Sequence, residues 1–187
     1  DNSVSLAGKT INGDLIIADG VSQIDLSNVT VTGRILLRGG ESGVNFANTK
    51  AGKGIIANTD IAVSGSVDSI TVAQGSAITV NSGASVGSIN VNAEGAKITG
   101  AGKVGTVKAN ANNVTVTTTG TKVTAADSVS GIKAGDKAVS AGKTETVGST
   151  ASGGSSSGGS SNGGSSSTVK AEIADAQVVT TDAGAYL

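Results

Sequence analysis

The sequence predicts an all-β fold: a right-handed parallel β-helix (β-solenoid) of about seven coils, with a C-terminal strand segment after a Gly/Ser linker. Three observations predict it. Apolar residues recur at a fixed step of 20 positions over the first sixty residues. Within each step they alternate, which is the period of a strand. The chain also holds 29 Gly and no Pro, Cys, Met, Trp or His, with only Phe46 and Tyr186 as aromatics. Val, Ile, Thr and Ser beside frequent Gly favour strands and tight turns over helices. A core without aromatics has to be thin, which suits a narrow solenoid bore.

The repeat defines the coils. Written in steps of 20, Val4, Ile24 and Val44 form one column, and Leu6, Leu26 and Phe46 the next. Ile11, Val31 and Ala51 follow, then Leu15, Ile35 and Ile55, then Ile17, Leu37 and Ala57. Every position in these columns is apolar. Shorter copies come next: Ile61, Val63, Val67, Ile70 and Val72; Ile78, Val80, Val86, Ile89 and Val91; Ala96, Ile98, Val104, Val107 and Ala109; and a copy opening at Val114 and Val116 and reaching Val123. Coil starts therefore fall at 4, 24, 44, 61, 78, 96 and 114. Val129, Ile132, Val139 and Val147 extend the pattern into a partial eighth turn. Turn residues such as Asn12-Gly13, Asp19-Gly20, Gly39-Gly40 and Glu94-Gly95 separate the strands. Stacked in parallel at ~4.8 Å, seven coils rise roughly 34 Å. No coil buries its apolar side alone, so stacking is what makes a core. Right-handedness follows from the chirality of parallel crossovers.

Three segments are expected: a β-helix over 1–148, a Gly/Ser linker over 149–167, and a strand-like segment over 168–187. The linker is flexible by composition. The last segment regains alternation at Val169 and Ile173 and at Val178-Val179.

A net charge of −1 does not suit nucleic acid, which calls for clustered Lys and Arg. No run of 18 apolar residues exists, so no transmembrane helix is expected. Lack of Cys removes disulfides, zinc-thiolate sites and thiol catalysis. The chain starts at Asp1 without Met and without a signal-peptide pattern, which fits a processed secreted protein or a cloned fragment.

The stretch Gly13 to Val21 and Ile24 to Gly40, within GDLIIADGVSQIDLSNVTVTGRILLRGG, resembles β-helix segments of secreted Gram-positive bacterial cell-surface proteins. Such segments often stand beside S-layer homology domains, and none of those is present here. Val129 to Val147 is similar to their closing segment. The resemblance covers roughly residues 1–148. It implies a β-helix in an extracellular or cell-surface, structural setting, and says little about activity.

Catalysis is not expected. Without His or Cys, acids and bases must come from carboxylates, Lys, Arg, Ser and Thr. β-Helix lyases and hydrolases cluster Asp for calcium or pair carboxylates across a cleft. Here Asp14, Asp19, Asp25, Glu41, Asp60, Asp68, Glu94, Asp127, Asp136 and Glu145 are scattered, and the turns are short. Asp14 and Arg34 share a column. A catalytic arginine beside an acid is one reading, and a surface salt bridge between coils is the favoured one. No catalytic residue, metal ligand or cofactor is assigned. Calcium at scattered Asp turns has weak support, because the nonapeptide calcium motif is missing. An ice-binding threonine column at Thr10 and Thr30 is broken by Lys50. Asn28 and Asn48 stack as an asparagine ladder at a turn. Asn28-Val29-Thr30 and Asn113-Val114-Thr115 match a common glycosylation pattern.

The informative positions point outward. With Leu15 and Ile17 facing the core, Ile16 faces out, and its column continues through Leu36 and Ile56 before turning polar at Thr71, Asn90 and Lys108. Stacked aliphatics on an outer face mark a contact. The tail is its natural partner, through Val169, Ile173, Val178 and Val179. The 16-residue Ser/Gly-rich run 152–167 within the linker reaches at most ~55 Å, far enough to return along the stack or to cross to the next subunit. The first coil has no amphipathic helix before it, and an uncapped parallel edge invites another chain. The expected function is therefore a structural subunit of an extracellular fibre or surface layer. Its partner is itself, in a head-to-tail homopolymer. A monomeric spacer or carbohydrate-binding module is the alternative, and a polysaccharide lyase or hydrolase a further one.

Overall fold

The computed structural model describes residues 2–74 and 76–148. The linker and the 168–187 segment, with Val169, Ile173, Val178 and Val179, lie outside the described residues.

The described chain is all-β, a parallel β-solenoid of about seven turns. Coil 1 has three short sides: β1 (Ser3–Ser5), β2 (Thr10–Ile11) and β3 (Leu15–Ile17). Coil 2 repeats them as β4 (Gln23–Asp25), β5 (Thr30–Val31) and β6 (Ile35–Leu37), and coil 3 as β7 (Gly43–Asn45), β8 (Lys50–Ala51) and β9 (Ile55–Ala57). Like sides pair in parallel at a 20-residue step, with Val4 on Ile24, Thr10 on Thr30 and Leu15 on Ile35. The corner after the first side needs a left-handed backbone in each coil. Gly8 supplies it in coil 1 (φ 71°), and Asn28 and Asn48 supply it below (φ 58° and 57°). Asparagine is the residue after glycine that best tolerates this region.

From coil 4 onward two sides merge. β10 (Ile61–Ser64) is followed by the seven-residue β11 (Ser66–Val72), β12 (Ala77–Val80) by β13 (Ser85–Val91), and β14 (Lys97–Thr99) by β15 (Lys103–Ala109). Coil 7 holds β16 (Thr115–Val116) and β17 (Lys122–Ala125). The small sheet β2-β5-β8 therefore stops at coil 3. The long strands stack closely midway along their length. A Cβ on Gly87 would stand 2.6 Å from the Asp68 carbonyl oxygen, and one on Gly105 would stand 2.5 Å from that of Gly87. Only glycine fits that approach.

The coil boundaries at 61 and 96 expected from the sequence are displaced. Val44 pairs with Val63, not Ile61, and Ile78 pairs with Ile98, not Ala96. Both shifts are of two residues, so every side chain keeps its face. Ile61 is drawn into the corner beside Gly40, where a Cβ would meet its side chain at 3.5 Å. Ala96 is fully buried in the corner before β14.

The partial eighth turn is also only half as expected. β18 (Ile132–Ala134) continues the parallel stack on β16, but β19 (Lys137–Val139) turns back antiparallel on β18. β20 (Thr144–Thr146) lies antiparallel on β17. Val129, Ile132, Val139 and Val147 are buried beneath this closure. A tight turn at Gly135 reverses the chain, which a parallel coil of this length cannot do. Lys137 and Glu145 join β19 to β20 at 3.5 Å.

The core is a single continuous column of Val, Ile, Leu and Ala with Phe46 as its one aromatic. Ile24, Leu26, Val31 and Ile35 are at most 2% exposed, while their coil-1 equivalents are not fully covered, with Val4 at 37%. Three hydroxyl side chains are buried among the described residues, Ser76, Thr118 and Thr121, and the two threonines satisfy each other at 2.7 Å.

Ile35 is fully buried between Leu15 and Ile55. Ile35→Asp places a charge there without a partner and is expected to cost upward of about 4 kcal/mol, unfolding the N-terminal coils. Thr71→Ser, on the outer face, should change stability by no more than about 0.5 kcal/mol. Urea unfolding of both variants followed by circular dichroism checks the pair; equal midpoints would refute the assignment of inside and outside.

Candidate functional site

Two features stand out on the outer surface. The first is the apolar column. Ile16 pairs with Leu36 and Leu36 with Ile56, on the middle residues of β3, β6 and β9. The flanking residues of each strand point into the core, so strand geometry forces the middle one outward. Ile16 is 60% exposed and is one of two large exposed aliphatics among the described residues, while Leu36 and Ile56 are half-buried. Below Ile56 the column runs through Thr71, Asn90, Lys108 and Thr124. The structure thus brings Ile16, Leu36 and Ile56 into one vertical stripe, as the 20-residue spacing predicts.

The second feature is a ladder of polar side chains on the β1-β4-β7-β10-β12 face, which the sequence reading missed. Ser5, Asp25 and Asn45 stand in register, and Ser64 lies below Asn45. Asp25 holds the group together. Its carboxylate accepts from the Ser27 backbone N–H and the Asn45 side-chain amide at 3.0 Å each, and from the Ser5 hydroxyl at 3.4 Å. The Asn81 amide donates to Ser64 Oγ at 3.1 Å. These residues line an open hollow of about 500 Å³ with Gln23 and Gly43. The Ser27 N–H, then the neighbouring side-chain donors, hold the Asp25 carboxyl below its usual range. The signal was present in the sequence as small polar residues at the 20-residue step, but such residues are common at strand ends and carry no hydrophobic contrast.

Asp14 and Arg34 meet as the favoured reading expected. The Arg34 backbone N–H donates to Asp14 Oδ1 at 3.0 Å and Nε to Oδ2 at 2.9 Å, with both side chains substantially exposed. The backbone donor first, and the guanidinium second, lower the Asp14 pKa. Both carboxylate oxygens are engaged by the next coil, so this is an inter-coil clamp. A third ladder joins Asn48 to Asn28 at 3.1 Å, as expected from the sequence. Among the described residues no three Asp or Glu side chains gather as ligands for a metal ion, and no helix is long and apolar enough to cross a membrane.

Comparison with protein-family models, with curated proteins and with solved structures finds no match. The resemblance of the Gly13–Gly40 stretch therefore stands on its residues alone.

Both lowered carboxylates stabilise the fold in their ionised form. A group whose pKa is depressed on folding contributes above its unfolded pKa, and loses that contribution as pH falls through the folded value. The melting temperature is expected to hold from neutral pH to about pH 5 and to drop below about pH 4. Asp25→Ala removes the acceptor of three donors and should lower the neutral-pH melting temperature by a few degrees, with a flatter acid limb. Melts by circular dichroism across pH test this; an acid limb identical in Asp25→Ala and wild type would exclude Asp25 as a contributor.

Proposed function

We propose that this chain is a non-catalytic structural subunit of an extracellular fibre or surface layer, whose copies associate with one another. The observation that carries this reading is the outward stripe of Ile16, Leu36 and Ile56. An aliphatic stripe costs solubility unless something covers it. Covering it contributes roughly 1.5–3 kcal/mol per side chain before ordering costs. Further support comes from the strand edges. β1, β2 and β3 each pair on one side only, as do β19 and β20 at the other end of the two large sheets. End-to-end stacking would seat β1 and β3 of one copy on β19 and β20 of the next, while the stripe would join copies side by side. The resemblance of Gly13–Gly40 to surface-protein β-helices supports the extracellular setting.

The antiparallel closure of β18–β20 favours a second reading, a monomeric spacer or carbohydrate-binding module of a cell-surface protein. The closure buries the core at that end and ends the parallel stack with antiparallel strands, which suits a finite module.

The two readings part in solution. Under the first, purified protein forms large assemblies by light scattering and negative-stain microscopy, and Leu36→Lys reduces them while its monomer melts normally. A wild-type protein that stays monomeric at high concentration would reject the first reading and leave the spacer. Turnover of a polysaccharide that Asp14→Asn or Asp25→Asn abolishes would reject both.

A further inference from the structure

The corner between β2 and β3 carries an Asn-Gly step, Asn12-Gly13, and its surroundings differ from those of most other described asparagines. Most described asparagines have a side chain tied down. Asn2 donates to the Gly20 carbonyl, Asn48 to Asn28, Asn45 to Asp25, Asn81 to Ser64, Asn110 to Asn92 and Asn113 to Glu94, while Asn112 accepts from Ser130. Asn12 is exposed, and its carboxamide makes no hydrogen bond to any described residue. Gly13 is also exposed, and a Cβ built on it would have nothing within 4 Å. Water and base therefore reach the carboxamide, and Gly13 adds no side chain of its own beside the next amide nitrogen.

One contact restrains that nitrogen. The Gly13 N–H donates to Thr32 Oγ1, one coil below, at 2.8 Å. The carbonyls on either side of Asn12 are anchored too. Ile11 O accepts from Thr32 N at 3.0 Å and Gly13 O from Gly33 N at 2.9 Å.

We propose that Asn12 is a modification site: it deamidates spontaneously, Thr32 gates the rate, and the isoaspartate product loosens coil 1 from coil 2. The chemistry needs only water and base. Base removes the Gly13 amide proton, and the nitrogen forms a bond to Asn12 Cγ. The bond between Cγ and the carboxamide nitrogen breaks, and ammonia leaves with a proton from solvent. The resulting succinimide ring takes up water. Opening at Cγ gives an ordinary aspartate, and opening at the α-carbonyl gives isoaspartate. While the Gly13 proton is held on Thr32 Oγ1, the nitrogen is not free to attack, which is why Thr32 sets the rate. Isoaspartate routes the backbone through the former carboxamide carbon and adds a methylene between Ile11 O and Gly13 O. Those two acceptors then no longer match Thr32 N and Gly33 N. Both products also bring a carboxylate near Asp14.

The full-length protein, held in warm, mildly alkaline buffer, tests this by peptide mapping and isoaspartate methyltransferase labelling. Asn12 should convert ahead of Asn2 and Asn81, which precede serine. Thr32→Val should speed conversion several-fold, and Thr32→Ser, which keeps the hydroxyl, should retain the wild-type rate. Thr32 is exposed, so neither variant should shift the melting temperature appreciably. In the isoaspartate form, hydrogen exchange at the Thr32 and Gly33 amides should quicken. Conversion at Asn12 no faster than at Asn2 and Asn81, or an unchanged rate in Thr32→Val, would overturn the gated site. Unchanged exchange at Thr32 and Gly33 in the converted protein would overturn the loosening.

Discussion

The structure depends on one constraint: each coil is too thin to have a core, so its apolar side chains are covered only by the same column of the coils above and below. Ile24 is covered by Val4 and Val44, and Ile35 by Leu15 and Ile55. Much else follows from keeping these columns in line. Corners must repeat, so the left-handed position recurs as Gly8, Asn28 and Asn48. Polar side chains are brought one strand spacing apart and bond to each other, as in Asp14–Arg34, Asn28–Asn48 and the Ser5–Asp25–Asn45 ladder. The outward apolar stripe is a product of the same repeat, since a step of 20 that stacks Leu15 on Ile35 also stacks Ile16 on Leu36.

The repeat also explains what was legible in the sequence. Inside and outside could be assigned wherever apolar and polar residues alternate, and those assignments hold from Leu6 to Val123, while Val4, placed in the core by the same pattern, is left exposed on the uncovered first coil. The outer column from Ile16 to Lys108 has the expected register. Register itself was less legible. Strand alternation is blind to a shift of two residues, because such a shift preserves both faces. The sequence therefore placed Ile61 under Val44 and Ala96 under Ile78, where the backbone pairs Val63 and Ile98. Deciding between them takes corner packing, such as Ile61 beside Gly40, which no periodicity encodes.

The closing segment was legible as apolar but not in direction. Val139 and Val147 carry the pattern of core residues, and nothing in that pattern separates a parallel coil from an antiparallel return. Segment length separates them: the few residues from Ala134 to Lys137 allow a tight turn but no circuit of the solenoid. The buried Thr118–Thr121 pair was hidden for a related reason. A threonine reads as a surface residue until its hydroxyl finds a partner in the core.

These constraints converge on a molecule whose outer surface is set by its stacking; the proposed function makes the aliphatic stripe the place where one copy meets another. The absence of cysteine allows single reporters to be placed without background. The most direct measurement is the distance between spin labels on neighbouring molecules, with the label at Arg38→Cys beside the stripe or at Lys122→Cys far below it. Both native side chains are exposed. Contact through the stripe predicts a short, defined intermolecular distance for the Arg38→Cys label and a longer or absent one for the Lys122→Cys label. A broad background distribution at both positions, at concentrations where assemblies are present, would contradict it.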